Sequence, residues 1–347
     1  MIIQLTNGSQ RLTLSTRGAT IFDWDPGIGT SVLDGYRSLA EQEENDGFRN
    51  AVLAPWSNRT EDATWDDDGV ARSTLGLTNA EGLHGLVWNR DFEIANVGAG
   101  ANQREDADAD ECNINAPSIE LVTHIPDSEA FPGPITVSVR YEISTPDALG
   151  VAVTARNDTE RPIPVGLGWH PYVRVASVDQ ARLWLAATHK IVTDERLLPL
   201  SGQAAFQLLD DDRTGDPRAD IVKYSGREAV LLPAWVPTGQ GMKEINLHDA
   251  LDSGFTGLSW EEGKAVAYLD TGLGYGVEMT MRCDDGIGRP NFHVFTGAPL
   301  KRDPLTSVAL EPCLTIANML NRGEEKARSV LQAGTERTLH ATVRLTH

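Results

Sequence analysis

Cysteine is scarce in this chain of 347 residues: only Cys112, Cys283 and Cys313 occur, at wide spacing and with no CxxC pair. An odd, dispersed set argues against a disulfide framework and fits a reducing compartment. Positive charge is also short. Thirty Lys and Arg face 50 Asp and Glu, for a formal net charge of −20. Such a chain repels nucleic-acid phosphates and anionic headgroups, so neither nucleic acid nor a membrane is expected as a partner. Long apolar runs are missing, and none approaches the length of a membrane span. The opening Met1-Ile2-Ile3-Gln4-Leu5-Thr6 lacks the basic and apolar regions of a signal peptide, which places the protein in the cytoplasm as an expectation.

Cofactor motifs are missing as well. There is no HExxH, no GxSxG and no P-loop. Gly272-Leu273-Gly274-Tyr275-Gly276 has the wrong spacing for a dinucleotide fingerprint. Asp210-Asp211-Asp212 opens like a calcium loop, but the twelfth position is Ile221, which cannot ligate. No cofactor and no metal is expected.

Helical periodicity is sparse, and the legible period is two. Apolar and polar residues alternate strictly over 135–143, and a second such run follows at 151–157 after turn-forming residues. Together they predict an antiparallel hairpin. Further strands are expected at 119–125 and 339–345. Asp66-Asp67-Asp68-Gly69 reads as a tight turn between strands. Short helices are expected over 312–321 and 38–45. The polar stretches 98–117 and 208–219 read as surface loops. Neither separates segments of different character, so the expectation is one all-β domain over 1–347, built of stacked antiparallel sheets.

Set in this frame are polar residues with apolar neighbours, which are expensive to bury unless paired or used. His170 stands between Trp169 and Pro171 at the end of an apolar run. It reads as a proton-transfer group on a cleft floor or as a core histidine bonded to backbone. Glu311, between Leu310 and Pro312, is a general base or an edge-strand carboxylate facing water, and local sequence favours the second. His84 precedes Gly85 in a turn-like setting that permits close ligand approach, or is a solvated loop histidine. Arg59, next to Asn58, offers donors for hydroxyls or a carboxylate, or forms a surface ion pair. Asp252 is a turn-capping residue or an acceptor for ligand hydroxyls.

Taken in order, these segments resemble the aldose 1-epimerase (galactose mutarotase) family. The matching stretches are Gly47-Phe48-Arg49-Asn50 through Asn58-Arg59, Leu83-His84-Gly85, Asn157-Asp158-Thr159 leading to Trp169-His170-Pro171-Tyr172, Leu251-Asp252 with Phe255, and Phe295-Thr296-Gly297 leading to Leu310-Glu311-Pro312. They cover ~47 to 321, and the ordered set is far more specific than any one member. The resemblance implies a large antiparallel β-sandwich of the galactose-mutarotase type. It implies an isomerase that interconverts the α and β anomers of a free hexose or pentose, a monosaccharide being its partner. Glu311 would take the C1 hydroxyl proton, and His170, as imidazolium, would protonate the ring oxygen. His84, Arg59, Asp252 and Asn58 would bind the sugar. Two positions depart from the family pattern: His293 stands where a glutamine is common, and Cys313 follows Glu-Pro in place of another. His293 would then sit on the sugar-contacting rim.

Two alternatives stay open. A hexose-6-phosphate 1-epimerase needs a cationic phosphate site, to which Arg72, Arg90 or Arg174 could contribute. A non-catalytic carbohydrate-binding protein on the same fold needs no proton-transfer pair.

Overall fold

In the computed structural model, residues 1–77, 82–99, 102–105, 111–144, 147–209, 242–247, 250–283 and 288–346 are described below. The calcium-like run at 210 and most of the expected 208–219 loop lie outside them.

Strands dominate. A nine-stranded antiparallel sheet runs, in spatial order, Lys243–Ile245, Arg182–Leu185, Ala265–Asp270, Gly276–Cys283, Glu336–Thr346, Ala148–Asn157, Ile135–Ser144, Ser118–Ile125 and Glu93–Val97. The expected hairpin lies within it, sixth and seventh in that order. Ile135–Ser144 pairs with Ala148–Asn157 over ten residues, from Ile135 opposite Asn157 to Ser144 opposite Ala148. Strict alternation buries Ile135, Val137, Val139, Tyr141 and Ile143 on one face, which is the physical meaning of the period of two.

An eight-stranded sheet carries most of the chemically interesting residues. Its order is Phe206–Leu208, His189–Ile191, Asp252–Thr256, Asn291–Phe295, Ser307–Cys313, Gly168–Trp169 and Val52–Leu53, with Tyr172–Arg174 also pairing Ser307–Cys313. One face of this sheet feeds the main core through Phe292, Val294, Val308 and Leu310. That cluster continues into Val137, Val153 and Leu339 of the larger sheet. The other face is left to Asn291, His293, Phe295, Ala309, Glu311 and Cys313.

A five-stranded sheet completes the frame: Ile21–Asp25, Gln10–Ser15, Ile2–Asn7, Glu111–Asn115 and Asn102–Glu105. Ile2–Asn7 and Glu111–Asn115 run parallel, an exception to the antiparallel rule elsewhere. The sequence expectation of a loop at 98–117 is corrected here. Two strands lie inside it: Glu111–Asn115 pairs with the N-terminal strand, and Asn102–Glu105 pairs in turn with Glu111–Asn115.

The turn at Asp66-Asp67-Asp68-Gly69 joins Thr64–Asp67 to Val70–Ser73 as expected. The helix expected at 38–45 is Leu39–Glu44, capped by the Ser38 side chain, which accepts from the Glu41 N–H. The helix expected over 312–321 is displaced. Pro312 and Cys313 still belong to a strand, and helical structure begins only at Met319–Asn321 and continues as Gly323–Arg328. The apolar residues counted there as one helical face, Leu314 and Leu320 among them, are buried from a loop and a short 3-10 turn instead. No described helix is long and apolar enough to cross a membrane.

Candidate active site

The register of the eight-stranded sheet aligns three titratable residues in one row. His293 lies directly opposite Glu311 on the neighbouring strand. On the other side Gly168 faces Cys313 and Tyr172 faces Ala309, which puts His170 midway, beside Glu311. Directly opposed residues share a face of a sheet, so the glutamate has an imidazole on each flank. His170 Nε2 is 3.3 Å from Glu311 Oε1. Opposite His293 on its other side is Gly254, where a Cβ would lie 2.7 Å from Ile191 Cδ1. Two residues along, Asp252 accepts a hydrogen bond from His293 Nε2 at 2.7 Å.

Glu311 is 1% exposed and lies on an interior strand. The local expectation of an edge carboxylate facing water is thereby overturned. A glutamate's local sequence does not reveal that partners will pair on both sides of its strand.

His170 sits in the break between Gly168–Trp169 and Tyr172–Arg174, where Pro171 interrupts the ladder. Asn50 sutures this break. Its N–H donates to the His170 carbonyl at 3.0 Å and its Oδ1 accepts from the Tyr172 N–H at 2.9 Å. Asn50 has a positive φ of 55°, which Asn tolerates better than most residues. Tyr172 then stacks on His170, with centroids 5.1 Å apart and planes 19° apart. Behind Tyr172 lies the buried Arg49, its guanidinium 5.3 Å from the ring centroid and paired to the buried Asp34. Asn50, Tyr172, Arg49 and Asp34 are supports that the sequence reading of site residues missed. Asn50, Arg49 and Tyr172 were visible only as parts of the matching stretches.

His84 approaches from the other side. It is 4% exposed, so the solvated-loop reading is overturned. Its ring meets His170 edge-on at 5.1 Å and Phe48 at 4.6 Å. The loop is pinned to the Pro55–Arg59 segment by Leu86 N–H to Ala54 O at 2.7 Å and His84 N–H to Asn58 O at 3.0 Å. A Cβ on Gly85, which has φ of 76°, would lie 2.1 Å from the Ala54 carbonyl oxygen. Only glycine lets the two backbones meet here. Asn58 is buried at the same junction, and Arg59 next to it is half-buried. The Arg59 guanidinium makes no hydrogen bond or ion pair among the described residues. Beside it opens a cavity of about 460 Å³, lined also by Glu61, Leu83 and Arg196.

The sequence-predicted residues Glu311, His170, His84, Asp252, His293, Asn58 and Arg59 therefore gather at one place. The arginines considered for a phosphate do not. Arg72 is held by Asp67 and the Ser128 carbonyl, Arg174 by Asp34 and the Leu33 carbonyl, and Arg90 by the Leu86 and His124 carbonyls.

Burial governs the electrostatics. It pushes the Glu311 carboxyl up to about 8 and the His170 imidazole down to about 3. Burial, with His170 and Arg59 nearby, also holds His84 well below the usual histidine range. His293 goes the other way. Burial alone would lower it, but the negative charge of Glu311 and the Asp252 hydrogen bond outweigh that and raise it. Asp252 is lowered, because the His293 hydrogen bond and charge outweigh its own desolvation. Near neutral pH these opposite shifts favour the proton on the Glu311 carboxyl over the carboxylate and imidazolium that the resemblance implies. Glu311 Oε2 and His170 Nδ1 are buried without a hydrogen-bond partner. Buried orphan polar atoms are rare in folded proteins and mark sites where another group docks.

A family model described as aldose 1-epimerase matches residues 1–338. Among curated proteins, YihR of Escherichia coli K12, described as uncharacterized, is 26% identical over 153 residues, a match covering 43% of this chain and 44% of that protein. Solved structures share the fold over nearly the whole chain. The GalM/aldose epimerase homologue from C. elegans superposes with a TM-score of 0.71 at 16% identity, covering 100% of this chain and 99% of that one. A galactose mutarotase-like protein from Clostridium acetobutylicum gives 0.66 at 14% identity, covering 98% and 93%. A galactose 1-epimerase from Lactobacillus acidophilus NCFM gives 0.65 at 13% identity, covering 97% and 91%.

Proposed function

This chain belongs to the aldose 1-epimerase family, and we propose that it is itself an aldose 1-epimerase, an isomerase that interconverts the α and β anomers of a free hexose or pentose. The observation that carries the reading is the buried contact of 3.3 Å between Glu311 and His170, each with a further polar atom left without a partner. A binding module has no use for two opposed, desolvated proton carriers.

The reaction needs one group to take a proton from the C1 hydroxyl while another gives one to the ring oxygen. The Glu311–His170 pair already holds the single proton required. Moving it from Oε1 to Nε2 yields a carboxylate base and an imidazolium acid without exchange with solvent. Glu311 then accepts the C1 hydroxyl proton, His170 protonates the ring oxygen, and the ring opens to the aldehyde. Rotation about the C1–C2 bond and the reverse transfers close the other anomer. His84 donates near the ring oxygen. Arg59, Asn58, Asp252 and His293 hold hydroxyls. We read the whole chain as one domain acting in the cytoplasm on a neutral sugar, because Arg59 is the single arginine among the gathered residues.

The test is anomer exchange by NMR on glucose, galactose, xylose, arabinose and glucose 6-phosphate in a non-catalytic buffer. Faster exchange on a free sugar is expected. Glu311→Gln and His170→Ala should each lower turnover by ~10²-fold or more, with sugar binding better preserved. Acceleration confined to the phosphorylated sugar would move the assignment to a hexose-6-phosphate 1-epimerase. Near-normal turnover in both variants would sink the site assignment.

A further inference from the structure

Glu311 has two imidazole neighbours, and only one is needed to exchange a proton with it. The second, His293, is placed differently. It lies on the opposite flank of Glu311 from His170. It is tied through Nε2 to Asp252 at 2.7 Å, and its Nδ1 makes no hydrogen bond among the described residues. His293 has a carboxylate partner of its own, whereas His170 has none besides Glu311. A histidine bonded to a half-buried aspartate is the one that keeps its charge.

We propose that His293, held as an imidazolium by Asp252, is a positioning residue that drives the proton shared by Glu311 and His170 onto His170. The assignment rests on the acid–base reading above and deepens it. The reason is positional. With the row ordered His293, Glu311, His170, transferring the proton leaves negative charge next to the cation and carries positive charge one strand further away. The cation disfavours charge on His170 as well, but Glu311 is its direct neighbour, so in a buried site, where charges are weakly screened, its attraction to the carboxylate outweighs that cost. The imidazolium therefore favours the working arrangement, carboxylate and imidazolium, over the resting one of carboxyl and imidazole.

The other charged and titratable groups around the row act as follows. Asp252 on the adjacent strand opposes His293 but lies beyond it from Glu311. Arg59 adds positive charge that lowers both His293 and Glu311. His84 is neutral, Tyr172 is held protonated by burial and by Glu311, and buried Cys313 is held as a thiol by burial and by Glu311. Arg49 reaches His170 from behind Tyr172 and is matched by Asp34. None of these replaces a cation directly beside Glu311.

The experiment titrates Glu311 itself, in protein carrying ¹³C at the glutamate side-chain carboxyl, its resonance assigned by its loss in Glu311→Gln. In His293→Gln the Glu311 midpoint should rise by about one unit or more, the size of effect a neighbouring opposite charge exerts. Asp252→Asn weakens the imidazolium but also removes a negative charge that itself raises Glu311, so its net shift should be smaller than that of His293→Gln. His293→Lys restores a cation and should bring the midpoint back toward wild type. Exchange rates follow from the same change: kcat falls by about tenfold per unit of lost bias, KM changes less, and the alkaline limb moves up with the midpoint. An unmoved Glu311 midpoint in His293→Gln overturns the proposal. A midpoint that moves in a protein with no activity on any sugar upholds the charge assignment and refutes the sugar chemistry instead.

Discussion

The backbone N–H of Asn58 donates to Nδ1 of His84 over 3.2 Å. An imidazole nitrogen that accepts carries no proton, so the His84 proton sits on Nε2. Burial and the neighbouring His170 and Arg59 keep the ring from acquiring a second one. ¹⁵N spectra of the histidine rings should show His84 as the neutral Nε2–H tautomer at neutrality and still neutral where an ordinary histidine has become charged. A His84 signal that becomes imidazolium near pH 6.5 would contradict the geometry and remove His84 as a fixed neutral donor.

The same burial that readies Glu311 weakens the fold. Its carboxyl is raised from 4.5 to about 8. Between those values the unfolded chain has released the proton and the folded chain still holds it, so this residue's contribution falls as pH rises through that window. Glu311→Gln should therefore be more stable than wild type. The gain should be absent below about pH 4, grow toward pH 8, and reach on the order of several kcal/mol at about 1.4 kcal/mol per unit. His170 is depressed from 6.5 to about 3, so its contribution is lost in the other direction, as pH falls below 6.5. His170→Asn should gain toward acid. Urea unfolding across pH measures both, and a difference that does not vary with pH would refute the linkage.

Asp34 ties three arginines behind the site. It pairs with the fully buried Arg49, with Arg302 at 3.1 Å and with Arg174 at 3.1 Å, and it accepts from Ser307 at 3.2 Å. Removing one partner of a buried ion pair leaves an uncompensated charge. Asp34→Asn should cost ~3–5 kcal/mol, read as a lower urea midpoint. Because Arg49 underlies Tyr172, which stacks on His170, turnover should also fall under conditions where the variant remains folded. A loss below about 1 kcal/mol would show that Arg302 and Arg174 carry no weight in this network.

The sequence spoke most clearly where a strand has one wet and one dry face. The 135–157 hairpin alternates strictly, and its register follows. It was silent on the 98–117 strands, because Glu111–Asn115 is held by the distant N-terminal strand and Asn102–Glu105 by Glu111–Asn115, within a polar, acidic stretch. Glu311 was visible as a carboxylate among apolar residues, but its burial depends on the strands bearing His293 and His170, far away in sequence. The helix misplaced over 312–321 has a similar origin. Leu314, Met319 and Leu320 do face the core, but from a loop and a short 3-10 turn, because pairing at both edges keeps the chain in strand through Cys313. The protonation order of Glu311 and His170 was illegible for the same reason, since desolvation is a property of the assembled sheet.

The row His293, Glu311, His170 is drawn across strands rather than along a loop, and pleating gives it a reading frame. Inserting or deleting one residue upstream within Ser307–Cys313 would rotate every later side chain to the opposite face, turning Glu311 into the core and presenting Leu310 or Pro312 in its place. Point substitutions around the pocket are in that sense local edits, whereas a one-residue length change in this strand is a frameshift of the site. Arg59 and His84 lie on connections between elements, whereas the placement of Glu311 between two imidazoles is set by strand register.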